Sequence, residues 1–182
     1  MQWNFSITRK TYYALGVLGT ALSMGQAIML LFGTSMNLLE NIAFVLTGLM
    51  FLFLAAIKGS DGRDKARYFL CFVLLLFGSG MVLGLPWVDR VAAGLSWPIF
   101  LWYEEMRQGG LTRQAWGVTG TEAASFLLWL LVVPGKQAAL IPAANVVWLA
   151  VVLMRAWAIL SLYRQESARQ LGSGDDRKEK SE

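Results

Sequence analysis

Residues 91–103, VAAGLSWPIFLWY, decide how many times this chain crosses a membrane. The run contains Pro98 and is short for a spanning helix, which needs about 20 mainly apolar residues. Glu104, Glu105 and Arg107 follow it, and long charged side chains of this kind can snorkel toward water, so a helix can extend to about residue 106. The alternative is a re-entrant element that enters and leaves on one side. Charge separates the two arrangements, because cytoplasmic loops collect Lys and Arg. If 91–106 spans, Arg9, Lys10, Lys58, Arg63, Lys65, Arg67, Arg107, Arg113, Arg164, Arg169, Arg177, Lys178 and Lys180 share the cytoplasmic side, and only Arg90 and Lys136 face outward. If it does not span, the two sides hold nearly equal numbers. In the spanning arrangement Tyr12, Tyr13, Tyr68, Tyr103 and Tyr163 also gather at the cytoplasmic edge, the interfacial level that amphipathic rings favour.

Working outward from this segment, apolar runs predict helices at about 11–32, 37–57, 68–87, 91–106, 116–133 and 138–163. The expected fold is an all-α integral membrane protein, a compact bundle of six transmembrane helices with short loops and both termini in the cytoplasm. It is expected in the cell membrane, with residues 1–163 as the transmembrane domain and 164–182 as a polar cytoplasmic tail. The Gly, Ser and charge run that closes the tail predicts disorder over about its last ten residues. The first apolar run follows Arg9 and Lys10 but exceeds the roughly 7–15 residues of a signal-peptide core, so it reads as a retained helix. The two halves show no visible repeat.

Composition agrees with lipid as the solvent. The 182 residues are 56% hydrophobic and 15% charged, with a mean hydropathy of +0.50. A net charge of +4 in such a chain reflects cytoplasmic loops, and nothing points to nucleic acid. Histidine is absent and Cys71 is the sole cysteine, so the usual metal ligands, a disulfide and the commonest proton-transfer group are missing. No metal and no cofactor is expected.

Polar residues inside apolar runs are the candidate sites. Arg155 on the last helix is costly in lipid and needs a partner. Glu122, at a matching depth on the antiparallel neighbour, is the expected ion-pair partner. Thr119, Ser125 and Trp129 share the face of Glu122, and Asn145, Trp148 and Val152 share that of Arg155. Gln26, Glu40, Asn41, Asn145 and Trp148 form a second group in the outer half, a possible ligand pocket, with Glu40 alternatively hydrated or paired to Arg90. Gly16 and Gly19 lie on a small-residue stripe with Ser23 and Gln26, and Gly80 and Gly84 make a GxxxG spacing. Both patterns predict close helix packing. Glu104, Glu105 and Arg107 read as the snorkelling end of the fourth helix.

Asp61, Gly62, Ala66 and Arg67 before a membrane helix are similar to part of the signature of CDP-alcohol phosphatidyltransferases. The spacing differs by one residue, Lys58 stands where that signature has an earlier Asp, and its later aspartates are missing. The segment therefore reads as a cytoplasmic charge loop, because a divalent-metal site needs clustered acids.

The leading functional expectation is an accessory or assembly subunit that binds another membrane protein, or a second copy of itself, within the bilayer through helix packing. The alternative is a small transporter or substrate-binding membrane subunit with an outward-facing polar pocket. A lipid-modifying enzyme is disfavoured for want of a nucleophile with a base or of paired metal-binding acids.

Overall fold

A computed structural model of the chain describes residues 8–57, 61–80, 82, 84–132 and 138–179, without the side chains of 86, 87, 138 and 171–179. These residues form α1 (Arg9–Leu31), α2 (Asn37–Ala56), α3 (Gly62–Gly78), α4 (Pro86–Gln108), α5 (Thr112–Val132) and α6 (Ile141–Glu179), with a short 3-10 turn, Ala138–Leu140, leading into α6. Each helix packs on its neighbours in sequence, and α6 returns to pack on α1, so the six close into a ring. Four segments are long and apolar enough to cross a membrane: α1, α2, α5 and residues Ile141–Gln170 of α6. Every helix presents a large apolar side chain outward, including Leu18, Val45, Phe69, Leu95, Leu127 and Leu153. Such an apolar perimeter fits lipid rather than water as the surrounding solvent.

The third and fourth helices depart from the expected boundaries. The expected third helix, 68–87, is instead Gly62–Gly78, so its charged first turns are helical and its end comes early. The expected GxxxG packing face at Gly80 and Gly84 therefore does not exist. Both glycines sit beyond the helix at positive φ, +75° and +62°, a conformation that ends a helix rather than continuing it. Pro86 reinforces the break, because the residue before a proline is disfavoured in helical geometry. The close approach falls on Gly78 instead. A Cβ there would lie 2.7 Å from the backbone of Ala93 on α4.

Proline has two roles in α4. Pro86 occupies the first turn, where its fixed φ suits helix initiation, so the helix begins before the expected residue 91. Pro98 stands inside the helix, which continues past it, and the Gly94 carbonyl thereby loses its ordinary helical donor. At the far end Gly109 (φ +72°) and Gly110 (φ +81°) reverse the chain. Glu105 then reaches across the turn to the Leu111 amide and, at 2.6 Å, the Thr112 hydroxyl, closing the start of α5 with an anion.

At the opposite end of the bundle, the Gln26 side-chain carbonyl accepts from the Met36 amide at 2.9 Å and ties the α1–α2 link. Asn145 of α6 donates to the Leu30 carbonyl at 3.1 Å. Gly16 and Gly19 are buried and bring α1 close to its neighbours. A Cβ at Gly16 would lie 2.9 Å from Ile159 on α6, and one at Gly19 would lie 3.1 Å from the Ala43 carbonyl on α2. The tail also differs from expectation, since α6 continues beyond residue 163 and Arg169 donates to Gln108 of α4 at 2.9 Å. Lys58, the Pro134–Lys136 turn and residues 180–182 lie outside the described residues.

Gly78→Val would drive a side chain into rigid backbone, and overpacking of this kind costs about 1–3 kcal/mol. The expected result is a thermal midpoint lowered by several degrees in detergent, whereas Gly120→Ala, with nothing near its added Cβ, leaves the midpoint unchanged or slightly raised.

Candidate functional site

One face of α4 lines the centre of the ring. Asp89 and Arg90, Ala93 and Gly94, Trp97, Phe100 and Leu101, Glu104 and Gln108 recur at helical spacing, and contacts to the other helices radiate from them. The face divides into a polar cavity at one end, an aromatic middle and a carboxylate-centred network at the other end.

The network centres on Glu104, which is completely buried. Oε2 of Glu104 accepts from the Tyr13 hydroxyl at 3.2 Å, from Arg107 Nε at 3.1 Å and Nη2 at 2.7 Å, and from the Gln108 amide. Oε1 accepts from the Tyr68 hydroxyl and lies 3.9 Å from the Arg9 guanidinium. Arg9 in turn donates to Tyr68 at 2.6 Å and sits over its ring. One carboxylate therefore joins α1, α3 and α4. This corrects the snorkelling expectation for Glu104: at the level of the interfacial tyrosines, the side chain turns inward because four donor groups converge there. Alongside, Tyr103 donates to Asp64, and Arg67 lies 4.7 Å from the Tyr103 ring centre.

Above the network the centre is filled by aromatic rings. Phe51 packs on Phe100 at 5.1 Å and on Trp97 at 6.0 Å, and Tyr68 packs edge-on to Tyr103 at 5.2 Å. Beyond Trp97 the packing opens into a cavity of about 620 Å³, within the range of small-molecule sites. Its polar lining comes from Asn37, Glu40 and Asn41 of α2, Asp89 and Arg90 of α4, Glu122 of α5, and Trp148 and Arg155 of α6. Phe44, Leu49, Phe72 and Leu75 form an apolar wall. A smaller space of about 220 Å³ adjoins it and shares Glu40, Arg90, Trp129 and Trp148, with Asn145 and Ser125 added.

Glu122 and Arg155 lie on the cavity wall. Arg155 Nε donates to Glu122 Oε1 at 2.7 Å and Nη2 pairs with the same oxygen, with only 7% and 8% of the two residues exposed. Both contacts go to Oε1. Oε2 is on the side of Gly94, where a Cβ would lie 3.7 Å from it. The Arg155 guanidinium also sits 5.6 Å from the Trp97 ring and 5.4 Å from that of Trp148. Trp148 is shared, because Arg90 lies 5.0 Å from the same ring while donating to the Ser125 hydroxyl. The indole and the Glu122 carboxylate thus stabilise two neighbouring cations in a site of reduced dielectric. The polar face of α5 serves α4 as well as α6, since Thr119 accepts from the Trp102 indole at 3.1 Å.

Of the residues expected to form an outer pocket, Glu40, Asn41 and Trp148 line the larger cavity, and Asn145 lines the smaller one. Gln26 lines neither. Its side chain is used by the α1–α2 link, a correction that follows from the unpaired amide a helix–helix turn leaves at Met36. No ion pair among the described residues joins Glu40 to Arg90. Asp89 and Arg90 were not expected in the pocket. The spacing of α4, with Gly94 and Trp97 one and two turns further on, is the signal that places them there. Among the described residues no cluster of metal-binding side chains occurs. No known protein family matches the chain, and no characterised protein or solved structure matches it either.

Removing one member of a buried ion pair costs about 3–5 kcal/mol, whereas replacing both by apolar groups is often nearly neutral. Glu122→Met and Arg155→Met alone should therefore each lower the thermal midpoint sharply, with the double variant recovering most of the loss. Additive losses would show that the pair is not coupled. Glu104→Leu should be more damaging than either single change, because it strands Arg9 and Arg107 together, and Glu104→Gln should fall between Glu104→Leu and wild type. Thermal unfolding of purified protein checks the order.

Proposed function

We propose that all six helices cross the membrane with both termini in the cytoplasm, and that the protein captures or transports a small solute or amphiphile through the cavity. The observation that carries this reading is the cavity of about 620 Å³ lined by α2 to α6 and walled by the Glu122–Arg155 pair and by Arg90. Three features support it. The cavity lies at the α1–α2 end of the bundle, where the α2 residues Asn37 and Asn41 are exposed, and the aromatic middle and the Glu104 network fill the axis at the other end. A site reachable from one side and closed on the other is what a capture or alternating-access protein needs. The basic residues Arg9, Arg67, Arg107 and Arg169 belong to the closed end, in keeping with a cytoplasmic side there. The outward apolar side chains of α3 and α4 match those of the other helices, in keeping with all six facing lipid.

The accessory-subunit reading drew on the small size of the chain, its lipid-facing surface and a GxxxG helix face, and of these Gly80 and Gly84 lie beyond α3. The ligand-binding reading has a physical site and is preferred.

Two single-cysteine variants in a Cys71→Ala background test orientation and access together. Asn41→Cys should react with a membrane-impermeant maleimide in intact cells, whereas Ala168→Cys, exposed on the extended part of α6, should react only after the membrane is opened. The opposite pattern would invert the topology, and protection of both would close the cavity to the outside.

A further inference from the structure

The charges of the cavity are unevenly satisfied. Glu122 and Arg155 neutralise each other, whereas three others do not. Asp89 is only 8% exposed and its Oδ1 accepts no hydrogen bond. Glu40 and Arg90 belong to no ion pair among the described residues, and the Arg90 guanidinium has the Ser125 hydroxyl and the Trp148 ring as neighbours. A buried carboxylate oxygen with no donor is costly in a site of low dielectric. Asp89 and Arg90 line the same cavity, one with a carboxylate oxygen that lacks a donor and the other with no carboxylate within ion-pair distance among the described residues. The polar end also holds Asn37 and Asn41, and the apolar wall of Phe44, Leu49, Phe72 and Leu75 runs away from it along α2 and α3.

Resting on the ligand-binding reading above, we infer that the cavity takes a zwitterion bearing a primary ammonium, an anionic group and an apolar part. The ammonium supplies N–H donors to Asp89, with Glu40 adding negative potential. A quaternary ammonium has no N–H to donate to the Asp89 carboxylate. The anionic group, carboxylate or phosphate, meets the planar donor fork of Arg90. The apolar part lies against the α2–α3 wall. Two sources share this chemistry: a free amino acid with an apolar side chain, and the headgroup of a phosphatidylethanolamine whose chain lies along the wall.

The test uses the full chain in nanodiscs of phosphatidylcholine doped with phosphatidylethanolamine or phosphatidylglycerol, with lipids retained on the protein weighed by native mass spectrometry. Equilibrium dialysis with labelled L-leucine forms the second arm. Retention of phosphatidylethanolamine over the other two lipids supports the inference with a lipid as the source, and saturable L-leucine binding supports it with a free solute. In either case Asp89→Asn and Arg90→Gln should each weaken binding by about tenfold or more, as expected for losing a charged hydrogen bond. Asp89→Asn removes an unpaired charge at nearly constant shape, so its thermal midpoint should equal or exceed that of wild type, which separates lost binding from lost folding. Binding that is insensitive to Asp89→Asn, or a preference for phosphatidylglycerol, overturns the zwitterion and leaves a ligand-binding cavity standing. Failure of the folded wild type to bind any probe also overturns the inference. The ligand-binding reading falls with it only if Asn41→Cys is closed to labelling from outside.

Discussion

The rest of the structure depends on a carboxylate with no exposure to solvent. A carboxylate enclosed like that of Glu104 needs donors around it, since several kcal/mol of desolvation must be offset. The donors come from α1, α3 and α4, so satisfying one side chain fixes three helices relative to one another. Helix packing by small residues then completes the ring. Gly16 and Gly19 seat α1 against α6 and α2, and Gly78 seats α3 against α4. In lipid there is little hydrophobic drive between helices, and close packing with paired polar groups is what remains to hold them.

The same requirement explains which parts of the fold could be read from the sequence. The segments at α1, α2, α5 and α6 have hydropathy high enough to be seen from composition, and the structure has helices there. α4 is harder to read because its charges turn inward, and α3 because exposed charges fill its first two turns. Averaged hydropathy treats Glu104 or Arg90 as a penalty wherever it points, although a buried, bonded charge on the ring axis leaves the lipid face of α4 apolar. Gly80 and Gly84 misled for a related reason. A GxxxG spacing specifies close packing only if the segment is helical, and two glycines shortly before Pro86 favour a break instead. The Glu122 and Arg155 positions were legible because a charge deep in an apolar run has few partners of the opposite sign at its own depth. The Glu104 network was not, because its members are scattered from Arg9 to Gln108 and each alone reads as an ordinary interfacial residue.

The two ends of the α4 face contrast in how completely their charges are satisfied. Around Glu104, both carboxylate oxygens accept hydrogen bonds and the neighbouring cations are shared between the carboxylate and tyrosines. Around the cavity, one ion pair is closed while Asp89, Glu40 and Arg90 belong to no ion pair among the described residues. Structural polar groups in a membrane interior tend toward the first condition, since every unsatisfied group raises the energy of the folded state. The second condition is stable only where water or a ligand supplies what the protein does not, and it occurs where the helices leave space.

Pro98 and Gly94 lie at the boundary between these regions. The proline frees the carbonyl of Gly94, and the glycine leaves that stretch of backbone bare toward the cavity and close to the second oxygen of Glu122. Helices spanning a membrane tolerate such a defect when the freed group faces a polar space rather than lipid. Below this point α4 meets Phe51 and carries Trp97 and Phe100, so the axis changes from polar to aromatic within about one helical turn. Opening the axis toward the Glu104 end would require separating rings packed on Phe51 of α2, while the Glu104 network holds α1, α3 and α4 together beneath them. The closed end is thus the part with the most interactions to break. The cavity end, with its incomplete charge pairing, is the part whose energy a bound molecule can most readily lower.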